Sequence, residues 1–261
     1  MKKHEIQNIL PKFETYEERV YEAERRMEAL ENQDDMAFGE LLDVLDSCNE
    51  HKPCRSAACP LCLRKERADL IIETLNIANQ KSGWCMVTLT YPNAYIPYSD
   101  LLNFDTNKFK ARLHQQLKRL DYQNIIIGSF EADYHETGNN WGPHFHLITP
   151  LDKHQLGKIR KYYSSDREMK ITPIRDKPYQ ISYALKFFWG RIYKFKTGEK
   201  NRTYKANLES NKLATALLKQ HRLGINGQLF LKGVRYKRSK HKLSVNGIRR
   251  RNGDSPCKST L

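Results

Sequence analysis

Trp141-Gly142-Pro143-His144-Phe145-His146-Leu147-Ile148-Thr149 is the stretch on which the reading of this chain turns. The run from Phe145 to Thr149 is rich in residues that suit a strand. Side chains alternate faces along a strand. His144 and His146 then point one way, and Phe145 points the other way, into a core. Two imidazoles side by side can hold one divalent metal ion. A His-x-His pair is equally compatible with two structural histidines, so the neighbouring segments decide.

Upstream, Asn124 to Tyr134 reads as a second strand around the apolar run Ile125-Ile126-Ile127. Gly138-Asn139-Asn140 supplies the intervening loop, so the two strands should pair antiparallel. Glu131, Asp133 and His135 alternate to one face, and Phe130, Ala132 and Tyr134 to the other. Pairing brings the polar face beside the histidines. Glu131 is the favoured third ligand, with Asp133 and His135 as alternatives. Two imidazoles and a carboxylate leave open positions on Mg²⁺ or Mn²⁺ for phosphate oxygens.

Further out, Trp84 to Tyr91 is a strand stopped by Pro92-Asn93, with Cys85 in its core. Phe104 to Leu120 is an amphipathic basic helix with Asp105 as its cap. Asp152 caps a helix through Tyr163, and Met169 to Ile174 is a fourth strand. Pro178 suits the first turn of a helix, expected to run to about Lys194. The order strand, helix, strand, strand, helix, strand describes an α+β, ferredoxin-like or RNA-recognition-like antiparallel sheet with helices. On the last helix, Tyr179, Tyr183 and Lys186 fall at i, i+4 and i+7 and share a face, with Ile181, Leu185 and Phe188 inward. A phenol has a free pKa of ~10. A nearby cation favours its phenolate and makes it a nucleophile.

The flanks differ in charge. The chain of 261 residues carries +15, yet residues 14 to 50 hold thirteen acidic and three basic residues, a net of −10. The remainder therefore carries +25. A basic body of that size points to a polyanion, nucleic acid first. Residues 12 to 46 read as acidic and helical, with Tyr16, Val20, Met27 and Leu30 and then Leu41, Leu42 and Leu45 as apolar positions. Mean hydropathy is −0.75, and no apolar run approaches the ~18 residues of a membrane span. Met1-Lys2-Lys3-His4-Glu5 is followed by no apolar segment of a secretory leader. No membrane association and a cytoplasmic location are expected.

Four of the six cysteines, Cys48, Cys54, Cys59 and Cys62, lie within fifteen residues. Their spacing, with the turn Cys59-Pro60-Leu61-Cys62, points to a closed structural Zn²⁺ site. His51 is a possible substitute ligand. Arg64-Lys65-x-Arg67 then opens a helix through Asn79, a basic turn able to meet a phosphate backbone. Residues 196 to 206 read as a loop, and Asn207 to His221 as a further helix. From Lys232 to Arg251 there are nine Lys or Arg, read as a flexible, basic tail.

Taken together, Thr88-Leu89-Thr90, His144-Phe145-His146 and Tyr183-x-x-Lys186, in that order, resemble the three motifs of the HUH endonucleases. More narrowly, they resemble those of rolling-circle replication initiators of plasmids and phages. Cys54-Arg55 and Cys59-Pro60-Leu61-Cys62 are similar to a segment that precedes the first motif in plasmid initiators. The resemblance spans roughly residues 48 to 195. It implies the HUH fold and a metal-dependent enzyme that nicks and rejoins single-stranded origin DNA through a 5′-phosphotyrosine. It further implies Tyr183 as nucleophile and Lys186 as its aid, with His144, His146 and Glu131 on the metal. Tyr179 matches the extra tyrosine of the two-tyrosine branch, whereas many initiators with the cysteine segment use one. A rolling-circle-type transposase is the alternative enzyme, and a zinc-stabilised, non-catalytic DNA-binding regulator the alternative of another class. No phosphate-binding loop of an NTPase is present, so helicase and polymerase are expected from the host.

The expected organisation is an acidic helical region over 1–46, a zinc-binding segment and helix over 47–82, a nuclease domain over 83–195 and a basic region over 196–261.

Overall fold

The computed structural model describes residues 5–80, 82–163, 168–197 and 200–245. Met1 to His4, and the basic run from Asn246 onward with Cys257, lie outside the described residues. Helices α1 (Glu5–Ile9), α2 (Tyr16–Glu31), α3 (Met36–Asp46) and α4 (Pro60–Asn79) precede the sheet. Strand β1 (Trp84–Thr90), the short β2 (Ile96–Pro97), α5 (Thr106–Arg119), β3 (Ile126–His135), β4 (Asn140–Pro150), α6 (Lys153–Arg160) and β5 (Met169–Pro173) follow. Beyond them come α7 (Lys177–Ala184), β6 (Arg191–Thr197), β7 (Lys200–Ala206), α8 (Ser210–Gln228), β8 (Leu229–Lys232), β9 (Val234–Lys237) and β10 (Lys242–Val245).

The central strands run β5-β1-β4-β3, each antiparallel to its neighbour. That is the strand order of a β-α-β-β-α-β ferredoxin-like unit, and α5 and α6 are its two crossover helices. Beyond β3 the sheet curls. Strand β8 pairs antiparallel with one end of β3, and β6 pairs parallel with the other end at Tyr134 and His135.

Both faces of the sheet are covered, which explains why β3 is buried along almost its whole length. One face carries Val87, Leu89, Phe130, Phe145 and Leu147. It packs against Phe109, Leu113 and Leu117 of α5, Leu156 and Ile159 of α6, and Leu213 and Leu217 of α8. Leu30, Leu41 and Leu45 of α2 and α3 extend this core. On the other face Ile127 and Ile148 meet Leu70 and Ile71 of α4 and Ile181 and Ala184 of α7.

Capping follows the sequence. Thr15 and Glu18 form a reciprocal capping box on α2, while Asp35, Asp105 and Asp152 cap α3, α5 and α6. The sequence places several boundaries differently from the structure. Helix α4 opens at Pro60 rather than Arg64, because Cys59 is its N-cap residue and Pro60 takes the first turn. Helix α7 ends at Ala184, not near Lys194. Leu185 departs from helical geometry, and Phe187 takes a left-handed φ of 50°. These turns put Leu185, Phe187 and Trp189 in the core. The amide of Gly190 then bonds to Asp133 Oδ1 at 2.9 Å, tying the chain to the sheet edge. A side chain at Gly190 would press on Lys205, Phe188 and the Ala206 carbonyl, so one is accommodated there only if those neighbours shift.

Residues 196–197 and 200–206 are not a loop. They complete an antiparallel β6–β7 pair, in which Thr, Tyr, Ile and Phe give strand preference between the lysines. Nor is the segment from Lys232 a flexible tail as far as Val245. Strands β9 and β10 pair with each other, and Val234 and Leu243 are buried. Tyr236 Oη donates to Glu66 Oε2 at 2.6 Å and Arg238 Nε to Glu66 Oε1 at 2.7 Å, docking this hairpin on α4.

Candidate metal and tyrosine site

Strand pairing sets Glu131 opposite His144 and Ser129 opposite His146. All three of Glu131, His144 and His146 are buried. Each offers a ligand atom, and these atoms lie within 4.8 Å of one another. His144 Nε2 is 3.7 Å, and His146 Nε2 3.9 Å, from Glu131 Oε2. His144 Nδ1 lies 3.0 Å from the Gly142 carbonyl. A carbonyl only accepts, so Nδ1 donates, and in the neutral ring Nε2 carries the lone pair. On the second ring Nδ1 is 3.0 Å from Thr88 Oγ1, which again turns Nε2 to the shared centre. Glu131 Oε2 is buried and accepts no aligned hydrogen bond. Its near partner is the Lys186 ammonium at 3.2 Å, and one carboxylate oxygen with two imidazole nitrogens is a donor set that fits a divalent cation.

The charges around the centre favour metal-ready forms at Glu131 and His146. Burial would raise the Glu131 pKa, but the Lys186 ammonium, with the two histidines and Lys205, outweighs it and holds the carboxylate well below its usual range. Burial pushes His146 down to about 3, against the pull of Glu131, leaving a neutral ring. At His144 burial also opposes the charge, yet Asp133 and Glu131 prevail and raise its pKa.

Of the two alternative ligands, Asp133 turns towards Lys205 Nζ, 2.7 Å from its Oδ1, and stands 3.8 Å from His144 Nε2. His135 lies further along β3, its ring edge-on to Tyr95 at 5.1 Å. Neither belongs to the three-residue group.

The Tyr183 ring lies 4.9 Å from that of His146. Lys186 Nζ is 4.2 Å from the centre of the Tyr183 ring and 3.2 Å from Glu131 Oε2. Helical periodicity is not what brings Lys186 here, since α7 has already ended; the turn after Ala184 does so. Ser129 Oγ donates to the Ala184 carbonyl at 2.7 Å and fixes that turn to β3. Phe187 is buried in place of Phe188, which is half-buried beneath Lys205. Tyr179, one turn before Tyr183, is 62% exposed. Lys205 is hidden from a reading that makes its segment a loop, although the strand-forming residues around it are its signal.

A second group of donors sits at the start of α4. The Sγ atoms of Cys48, Cys54, Cys59 and Cys62 lie within 4.8 Å of one another. Three of the separations are 3.6, 3.8 and 3.6 Å. Zn–S bonds of about 2.3 Å in a tetrahedron require S···S edges of about 3.8 Å. Amides of Cys54 and Arg55 point at Cys48 Sγ and Cys62 Sγ, at 3.4 and 3.2 Å. Hydrogen bonds from the Cys54 and Cys59 thiols, joined by the Arg55 amide, lower the Cys62 pKa to about 2. His51 stands outside this group, its amide bonded to Asn49. Cys85 is buried in β1, and burial pushes its thiol up to about 12.

No described helix is long and apolar enough to cross a membrane. No family model matches the chain, and no solved structure matches it. Over 123 residues it is 27% identical to a Staphylococcus aureus protein described as "Protein rep". That stretch is 44% of this chain, which spans about half (52%) of the curated relative's length. The similarity suggests a Rep-type replication protein.

Proposed function

We propose that this protein is a rolling-circle replication initiator of the HUH endonuclease type, nicking and rejoining single-stranded origin DNA. One observation carries the reading: Tyr183 and Lys186 converge on the Glu131, His144 and His146 donors. The similarity to a protein described as Rep supports it. Glu131, His144 and His146 would hold Mg²⁺ or Mn²⁺, which when bound polarises a phosphoryl oxygen. Tyr183 Oη attacks the scissile phosphorus. The bond to the 3′-oxygen breaks with its electron pair on that oxygen, which takes up a proton. The 5′-phosphate stays as an ester of Tyr183, and the free 3′-hydroxyl is available to a host polymerase. Lys186, over the phenol ring, offsets the negative charge of the phenolate and of the phosphate under attack. Cys48, Cys54, Cys59 and Cys62 would hold a structural Zn²⁺. In this reading residues 47–82 form the zinc-binding segment and 83–195 the nuclease unit, between the acidic region 1–46 and the basic region 196–261.

Incubation with Mn²⁺ and labelled single strands from the encoding replicon should give a DNA–protein band stable to denaturant. Tyr183→Phe should abolish it while keeping the fold. An adduct that persists in Tyr183→Phe would overturn the assignment, and DNA binding without any adduct would favour a non-catalytic regulator.

A further inference from the structure

A cleft of about 560 Å³ opens beside the cysteine cluster, with Cys48 and Cys62 in its wall, between α4 and the turn of the docked β9–β10 hairpin. Leu61, Ala68 and Ile72 of α4, with Ile6, give it an apolar floor. Arg55, Arg64 and Lys65 line it as cations, and Arg55 and Lys65 are exposed. Three carboxylates also line it, but two are engaged within the fold. Glu66 receives Tyr236 and Arg238, and Asp69 lies 3.0 Å from His241 Nδ1. The third, Glu50, is exposed. Arg64 donates Nε to the Glu14 carbonyl at 2.7 Å and lies over the Phe13 ring at 5.6 Å, a further cation of the cleft wall held in place by the fold.

An apolar slot of this volume under a row of cations suits one chemistry well. An unstacked base with its sugar enters the slot, and the phosphates on either side meet the guanidinium and ammonium groups. Helix α4 also links the cleft wall to the tyrosine site through the core. Arg67, three residues on from Arg64 and so about 4.5 Å along the helix, donates Nε to the Leu185 carbonyl at 3.0 Å. Leu185 is the neighbour of Lys186.

We propose that the cleft beside the cysteine cluster is a second single-stranded DNA subsite, holding an unpaired base of the strand cut at Tyr183. This rests on the nicking reading for its biological setting, though not for its measurement. Arg55 supports it further. Its φ of 57° is a left-handed value that costs a non-glycine residue energy. Its amide is bonded to Cys62 Sγ and its carbonyl accepts from Arg238 Nη2 at 3.0 Å. Both ends of the residue are thus fixed, and the side chain is left at the mouth of the cleft.

The test uses the full chain and a fluorescein-labelled oligothymidylate of roughly twenty nucleotides, long enough to span both subsites. Ala68→Trp fills the slot without removing a core side chain and should weaken binding about tenfold, as expected for the loss of one stacked base. Arg55→Ala with Lys65→Ala should make the log–log salt slope shallower by roughly 0.7 for each phosphate that is no longer neutralised. Zinc content and circular dichroism guard against misfolding. A 5-iododeoxyuridine probe should crosslink within residues 61–72. Tyr183→Phe should keep both binding and crosslink, so loss of the adduct alone would strike the nicking reading and leave the cleft standing. Unchanged binding in Ala68→Trp, or a crosslink that maps elsewhere, would overturn the subsite. So would a sulfated polysaccharide losing as much affinity as DNA in the Arg55/Lys65 variant while Ala68→Trp affects neither, since that marks a plain cationic patch.

Discussion

Tyr179 and Tyr183 are four residues apart on one helix, yet they meet different surroundings. Tyr183 is held between His146 and Lys186. Tyr179 is 62% exposed, which removes core packing as its role. Tyr179→Phe should therefore change stability by no more than ~0.5 kcal/mol, as at an ordinary surface position. First-strand cleavage should also remain. If both tyrosines act in turn, transfer to a second oligonucleotide should fall in Tyr179→Phe. Normal transfer would make Tyr179 a plain surface residue and the protein a one-tyrosine enzyme. Glu131 lends itself to a sharper comparison. Glu131→Gln keeps the shape but leaves Lys186 without its nearest carboxylate. Mn²⁺ affinity by calorimetry should drop at least ~10-fold, the scale seen when metal-site partners are removed, and an unchanged affinity would place the metal elsewhere.

At the level of elements, α2 is not merely an acidic face in solvent. Glu22 bonds to Arg25 and Arg26, and Arg26 Nη1 reaches the Ala58 carbonyl at 2.7 Å, beside Cys59. Burial alone would raise the Glu22 pKa, but its bonds to Arg25 and Arg26 prevail and lower it from 4.5 to about 2. A depressed carboxyl pKa contributes stability that is complete above the unfolded value and is lost as pH falls through the folded one. Glu22→Gln should therefore cost about 1–2 kcal/mol in urea melts at neutral pH, after allowance for solvent screening. The difference from wild type should close between pH 4.5 and about 2. Parallel pH curves would show that the pair adds nothing. The α4 cap responds to metal instead. Purified protein should contain about one zinc per chain, lost when Cys59 and Cys62 are both changed to Ser. Because structural zinc supplies folding energy, the melting temperature should fall as well. Zinc retained by that variant would remove the assignment.

For the whole molecule, the charge of +25 outside residues 14 to 50 would set the electrostatics of the proposed DNA binding. Removing everything from Lys232 would be a poor test, since it would take away β9, β10 and the partners of Glu66. Removal of residues 246–261 is cleaner. That segment carries Arg249, Arg250, Arg251 and Lys258 against Asp254, a net of +3. Its removal should make the salt slope shallower by roughly 0.7 to 0.9 for each phosphate it neutralises, with the covalent step intact. An identical slope would show that those residues touch no phosphate.

The sequence by itself determined the elements whose pattern is local. Period-two alternation fixed β3 and β4 and put Glu131, His144 and His146 on one face, because register on a sheet buried on both sides leaves no other choice. Caps at Asp105 and Asp152, and the crowding of four cysteines, were equally readable, since each depends on neighbours a few residues away. Only the tertiary structure decided where α7 stops. Nothing local ends a helix at Ala184; the burial of Leu185, Phe187 and Trp189, and the bond from Gly190 to Asp133, outweigh helix preference there. The strand character of residues 200–206 and 229–245 was hidden for a similar reason. Their charges dominate composition, while a few apolar positions such as Val234 and Leu243 gain enough by burial to order them. Lys205 and the cleft beside the cysteines came from those same segments, because a site built from residues far apart in the chain exists only once the chain has closed.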